Sequence, residues 1–224
     1  MRKLHFALTG RLPACLTLGC LLLVFANSPP ARAQAQGAAT PAPAAAAAGA
    51  GVQFADSALA PGDREMLARA AQLVGRWAMV QRVVQAVKAQ AASPPPMERV
   101  QAIDQAWQRG EDPEGLATAL AKNECAQALQ TLMSANPGYG EAFVSDDRGA
   151  LVCMTQRTSD YFQGDEEIWS RAWAGGAGAV FVSANERDAS TGLDLVHISV
   201  PIKSAGKVIG VLTVGKIASP PPAG

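Results

Sequence analysis

Apolar side chains recur at Met66, Ala70, Leu73, Trp77, Val80, Val84, Val87 and Ala91, in alternating steps of four and three residues. That spacing is the 3.5-residue period of a helix with one apolar stripe, held for over three heptads, and it predicts a single long helix from Met66 to Ala91. Two uses of the stripe are open at this level. It packs on the protein's own core, or it forms a seam with a second copy and makes a homodimer. Asp63, after Pro61-Gly62, is read as the N-cap. Ser93-Pro94-Pro95-Pro96 ends the helix, because proline lacks an amide donor and clashes with the preceding turn. A shorter helix is predicted over Met97 to Gln108, then a turn from Gly110 to Pro113, then a third helix from Pro113 to Ser134. Asn136-Pro137-Gly138 stops that helix.

Past Gly138 the period becomes strand-like. Glu141 to Ser145 reads as a strand, Asp146-Asp147-Arg148-Gly149 as a turn, and Ala150 to Thr155 as the returning strand of a hairpin. A loop and a short helix over about Asp165 to Ala174 follow. Three more strands are predicted at Ala179 to Ala184, Leu193 to Lys203 and Lys207 to Ile217, the last two joined by Ser204-Ala205-Gly206. In the final strand Val208, Gly210, Leu212 and Val214 alternate with Ile209, Val211 and Thr213, so both sets are apolar or small. Such a strand is covered on both faces and sits centrally. Helices on one side, and the inserted helix with its loop on the other, make this an α+β fold.

The start of the chain adds a compartment. Arg2, Lys3 and Arg11, an apolar run from Leu16 to Ala26, and Ala31-Arg32-Ala33 form the pattern of a secretory signal over residues 1–33, with cleavage expected before Gln34. The run is short for a membrane span. Retention as an anchor and a lipoprotein site at Cys20 are the two alternatives. The Ala/Pro/Gly-rich residues 34–60 offer little to bury and are expected to be a flexible tether. Residues 61–217 are expected to be one domain, helical over 61–135 and sheet over 139–217, with a disordered tail at 218–224. All 19 acidic residues lie after Ala33, against 15 basic ones, for a net charge of about −4 in the processed chain. Nothing in that balance points to nucleic acid. Cys125 and Cys153 remain after processing. An exported protein permits them to pair, and a buried pair of free thiols is the other ordinary outcome.

The chemistry the sequence offers is sparse. His5 lies in the signal, so His197 is the one histidine of the processed chain, and no metal-ligand spacing stands out. Gly175-Gly176-Ala177-Gly178 runs from helix to strand, the wrong order for a phosphate loop. There is no Gly-x-Ser-x-Gly, and a pairing of either cysteine with His197 has no motif behind it. The expectation is a protein that is not an enzyme, with no cofactor and no metal. The dense polar and aromatic stretch is Arg157 to Trp169. Structure explains part of it: Gly164 or Asp165 caps the short helix, Glu166 and Glu167 suit its positive end, and Trp169 with Trp173 fills the core. It does not explain why Arg157, Asp160, Tyr161 and Gln163 crowd together before the helix.

These segments resemble a known family. Asn136-Pro137-Gly138-Tyr139, Phe143-Val144-Ser145-Asp146-Asp147-Arg148-Gly149 and Arg157-Thr158-Ser159-Asp160-Tyr161-Phe162-Gln163-Gly164-Asp165-Glu166 look, in that order, like the Cache superfamily of PAS-like extracytoplasmic (PDC) sensor domains. Asp188, Ile198-Ser199-Val200-Pro201-Ile202 and Val208-Ile209-Gly210-Val211-Leu212 resemble its closing segments. The resemblance implies a long N-terminal helix and shorter helices backing a five-stranded antiparallel PAS-like sheet, with a small ligand on the opposite face. It implies Arg157, Asp160, Tyr161, Gln163, Trp169, Asp188 and His197 as ligand-binding residues, Arg and Tyr for a carboxylate, Asp for an ammonium, aromatics as walls. For His197 the alternative is a strand residue hydrogen-bonded in the core.

Two departures from the family matter. The sequence ends at Gly224 with no membrane helix or output module, and the Arg-x-Trp-Tyr motif of its amino-acid-binding members is absent. The expectation is a stand-alone periplasmic or secreted module that binds a small metabolite and acts through a separate, membrane-bound signalling partner. The alternative is an interaction or structural module of the cell envelope that takes no ligand.

Overall fold

The computed structural model describes residues 51–218. The signal, its cleavage point, residues 34–50 of the expected tether and the tail at 219–224 lie outside the described residues. Six strands, β1 (Gln53–Phe54), β2 (Tyr139–Asp146), β3 (Leu151–Met154), β4 (Phe181–Arg187), β5 (Asp194–Ser204) and β6 (Lys207–Ile217), form one sheet in the order β1-β4-β5-β6-β2-β3. The five expected strands pair antiparallel, and the final strand lies in the interior of the sheet, between β5 and β2. The sheet is nevertheless six-stranded and mixed rather than five-stranded and antiparallel, because β1 runs parallel to β4.

Order therefore begins before Pro61. The amides of Gln53 and Ala55 donate to the carbonyls of Val180 and Val182 at 2.9 Å, Val52 and Phe54 pack on the core, and the Arg64 guanidinium stands 4.9 Å over the Phe54 ring. A two-residue strand is too short for a period-two pattern, so nothing in this Ala/Gly-rich stretch announced it. At the other end Ala218 donates to Asp194 at 2.9 Å.

The long first helix is two helices, α1 (Pro61–Trp77) and α2 (Gln81–Ala92). Pro61 occupies the first turn of α1, where its missing amide costs nothing, and Asp63 sits in that turn rather than capping it. The turn between them contains no glycine or proline. It keeps the apolar phase, because both helices lie on the same sheet, so the periodicity could not register the break. Leu67, Val74 and Trp77 of α1, Val83 and Val87 of α2, and Leu129 of α5 (Glu124–Ser134) pack on Val144, Ile198, Val200, Leu212 and Val214. The stripe is thus used inside the chain: Ala70, Trp77 and Val87 are buried, Met66, Leu73, Val80 and Val84 half-buried, and Ala91 exposed.

α3 (Met97–Gln108) has the expected bounds. The third expected helix is broken into a 3-10 turn at Pro113–Gly115, α4 (Leu116–Lys122) and α5. Asn123 makes the break. Its backbone is extended, its side chain accepts from the Ala126 amide at 2.9 Å as an N-cap, and its Nδ2 donates to the Val152 carbonyl at 2.9 Å. Next to it Cys125 and Cys153 are joined as a disulfide, Cα atoms 5.9 Å apart and 28 residues apart in sequence. A loop of that length contributes about 3–4 kcal/mol by restricting the unfolded chain.

The opposite face is covered in two patches. Val100, Ile103 and Trp107 of α3 gather with Leu120, Leu151, Met154 and Tyr161 towards the β3 edge. Trp169 and Ala172 of α6 (Glu167–Trp173) pack on Phe181 and Val211. Between the patches, the loop from Thr155 to Glu166 crosses the β2–β3 turn so closely that a Cβ on Gly149 would lie 2.3 Å from the Gly164 backbone. Gly149 also has φ +89°, so both space and conformation call for glycine there.

Candidate functional site

On the face under the loop, the alternation of β2 and β5 presents polar side chains. Glu141 of β2 and His197 of β5 are both in register with Gly215 of β6, the strand between them. Strands two apart stand roughly 10 Å from each other. Two long side chains close that distance by reaching over a residue that has none, and the His197 Nε2 comes to 2.8 Å from the Glu141 Oε1. A Cβ on Gly215 would meet the Leu195 Cδ1 at 2.6 Å and the Glu141 Cγ at 3.0 Å. The Glu141 side chain is 3% exposed, a carboxylate drawn into the protein and held by partners.

The β4–β5 loop supplies the third group. The Asp188 Oδ1 accepts from the Thr191 amide at 2.6 Å, the Thr191 hydroxyl at 2.7 Å and the Ser190 hydroxyl at 2.8 Å. The Ser190 hydroxyl also stands 3.0 Å from the Glu141 Oε2, so it bridges the two carboxylates. Burial alone raises the Asp188 carboxyl. Hydrogen bonds from Thr191 and Ser190, with the nearby His197, outweigh it and hold the group below its ordinary value.

A cavity of about 250 Å³ opens over this cluster. Of the seven residues that the resemblance singled out, Asp160, Gln163, Asp188 and His197 line it. Arg157, Tyr161 and Trp169 do not. The Arg157 guanidinium lies 4.2 Å over the Trp107 ring and donates to the carbonyls of Trp107 and Glu111 at 3.1 and 2.6 Å. Tyr161 is buried beside Trp107, and desolvation, with the charge of Asp146, pushes its phenol up to about 12. Trp169 stacks on Trp173 and donates to the Asp146 carbonyl at 3.2 Å.

The crowding before α6 thus has a mechanical origin. α3 fastens the loop: the Asp104 Oδ1 accepts from the amides of Tyr161 and Phe162 at 2.9 Å, Gln108 donates to the Asp160 carboxylate at 2.8 Å, and the Trp107 indole donates to the Thr158 carbonyl at 2.8 Å. Inside the loop, Gln163 and the Thr158 hydroxyl both donate to the Asp160 carbonyl. Burial, with the charges of Asp160 and Asp165, raises the Asp104 carboxyl despite its two amide donors.

Sequence reasoning passed over Glu141, Glu166 and Glu186, which also line the cavity. A glutamate on the same strand face as Phe143 and Ser145 was the available signal for Glu141. Burial, then the charges of Asp165, Asp160 and Glu186, push the Glu166 carboxyl up, with His197 pulling the other way. Five carboxylates face one arginine, and that Arg187 leans 3.6 Å from Asp194 with its side chain 70% exposed. The cavity is therefore acidic. Where the sequence offered no metal spacing, folding brings donor atoms of Glu141, Asp188 and His197 within 4.8 Å of one another.

No family model and no curated relative matches the chain. Among solved structures it is similar to the sensor domain of the histidine kinase DctB of V. cholerae, at 10% identity and TM-score 0.41, over 69% of this chain and 50% of that one. It is similar to the ligand-binding domain of the Campylobacter jejuni chemoreceptor Tlp3 in complex with 4-methylisoleucine, at 15% identity and TM-score 0.36, over 69% and 59%. A third is the ligand-binding domain of the Pseudomonas aeruginosa PAO1 amino acid chemoreceptor PctC in complex with GABA, at 18% identity and TM-score 0.34, over 68% and 64%. The chain spans half to under two thirds of the length of these domains. All three are sensor or ligand-binding domains of signalling receptors. At such identities and TM-scores, the chemistry of the site has to stand on its own residues.

Proposed function

We infer that this chain is an extracytoplasmic small-molecule sensor module whose ligand carries positive charge. The observation behind this reading is the acidic cavity over the sheet, with the buried Glu141 at its floor and the α3-fastened loop at its rim. A pocket with fixed walls and a few converging polar groups is what a specific small-molecule site requires, and fixed negative charge selects a cation. Arg157 and Tyr161, the groups suited to a carboxylate, are spent on the loop's attachment. Asp160, Gln163, Asp188 and His197, with Glu141 and Glu166, are the contacts this reading assigns.

Periplasmic or secreted location follows from the signal-like start. No helix among the described residues is long and apolar enough to cross a membrane. Occupancy of the cavity is read out by a separate signalling partner at the membrane. The Ser190 hydroxyl of the cavity is engaged by the carboxylates of Glu141 and Asp188, and the role read here for the site is binding rather than turnover.

A thermal-shift screen of amines, diamines, amino acids, simple metal salts and carboxylates tests the reading. Cationic solutes should raise the melting temperature, and carboxylates without an amine should not. If no cationic solute shifts it while a stable protein partner is captured, the ligand-free interaction module is the correct alternative.

A further inference from the structure

We propose that Glu141, Asp188 and His197 form a binding site for a divalent transition-metal ion such as zinc, a deepening that rests on the cationic-ligand reading of the same cavity. The donors are one imidazole nitrogen and two carboxylates, and they converge from three separate elements of the fold: β2, the β4–β5 loop and β5. Donors sharing one ion at about 2.0–2.2 Å stand roughly 3–3.5 Å apart in a tetrahedral arrangement. The His197 Nε2 and Glu141 Oε1 are 2.8 Å apart, a hydrogen bond that an entering ion would replace, and all three donors lie within 4.8 Å, so the set is completed when that pair opens slightly and Asp188 turns in.

Three features favour a metal over an ammonium. An ammonium is served by carboxylates alone, and a protonated imidazole 2.8 Å from Glu141 would compete with it for that carboxylate. A metal ion instead recruits the neutral imidazole as a ligand. Secondly, the carboxylates are oriented from behind, as metal ligands are. The Ser190 hydroxyl stands between the Glu141 Oε2 and the Asp188 Oδ1 with one proton to donate to either, and the Thr191 amide and hydroxyl hold the Asp188 Oδ1, leaving the Asp188 Oδ2 without a hydrogen bond among the described residues. Thirdly, the bare surface of Gly215 lets the imidazole and the Glu141 carboxylate meet over the middle strand. The mixed nitrogen and oxygen set suits zinc or nickel better than the all-oxygen preference of magnesium or calcium. A set of three leaves at least one coordination position open to the cavity, where water or a small donor fits.

Calorimetric titration of the chelator-treated full chain with zinc chloride, with magnesium chloride and a simple diamine as comparators, tests the assignment. Zinc should bind at one site, and magnesium should give no comparable signal. His197→Gln and Asp188→Asn should each weaken zinc by about tenfold or more, and Ser190→Ala, acting from behind the ligands, by about tenfold. Melting curves in chelator check that each variant folds. If His197→Gln does not fold, the other two carry the test. No zinc binding, or zinc binding unchanged in these variants, overturns the proposal. A diamine that binds while zinc does not overturns the metal site and leaves the cationic cavity standing. If neither binds, the metal site falls, and the cationic reading falls with it only when the wider screen of amines and amino acids is also silent.

Discussion

The two faces of the sheet are built from the same strands and do opposite things. On the face under α1, α2 and α5, Val144, Ile198, Leu212 and Val214 are fully buried among apolar side chains. On the other, the neighbouring positions Glu141, His197, Ser199 and Thr213 keep polar atoms under cover, and each has a partner: Glu141 with His197, and Ser199 with Thr213 at 2.9 Å. Burying polar groups is tolerable only when they are hydrogen-bonded, so this face adds less stability for the area it covers. The contrast is a division of labour. The helix face supplies the stability that lets the loop face hold a carboxylate, an imidazole and a cavity without collapsing onto them.

Substitutions on the two faces should therefore separate stability from binding. The largest effect is expected from Leu212→Ala on the helix face, a loss of about 2–5 kcal/mol from the removed apolar volume and the cavity left behind. Urea denaturation should register that loss while ligand affinity of the folded fraction stays unchanged. An affinity change as large as the stability change would break the separation.

Tyr161, on the loop side, should respond to pH. Its phenol is ordinarily near 10 and is held up to about 12 in the folded protein, chiefly by burial. The folded state thus favours the protonated form. That stability is fully present below pH 10 and is lost as pH rises from about 10 to 12, roughly 2–3 kcal/mol in all. Tyr161→Phe should flatten this part of the stability profile, and a profile unchanged by the substitution would show that the phenol is not held in its protonated form.

The smallest stability effect, about 1–3 kcal/mol, is expected from Asp104→Ala, which leaves the amides of Tyr161 and Phe162 without an acceptor. Here the comparison sharpens. Because Asp104 fastens the loop that carries Asp160 and Gln163 to the cavity, ligand affinity should fall in proportion to the stability lost or more steeply, the reverse of Leu212→Ala. Hydrogen exchange at residues 157–163 checks the cause, since those amides should lose protection first.

The alternation along β2, β5 and β6, the hairpin turns, the interior place of the last strand and the bounds of α3 were legible in the chain, because a strand's two faces and a helix's stripe are written at fixed spacing. The breaks at Ala78–Val80 and Asn123 were not. The first preserves the apolar phase, and the second is an N-cap residue inside an otherwise continuous helical pattern. β1 is too short to carry a period at all. The loop segment from Arg157 to Gln163 stood out in sequence as polar and aromatic, but only packing against α3 decided which of its side chains fasten and which face the cavity.

Glu141 and His197 are 56 residues apart, and no spacing rule joins them. What brings them together is register: β2 and β5 both align on β6 at Gly215, whose missing side chain opens the space between them. The sequence by itself determined which residues could share a face. The tertiary structure decided which of them meet, because pairing across a sheet is set by strand register and by the side chain that the middle strand leaves out.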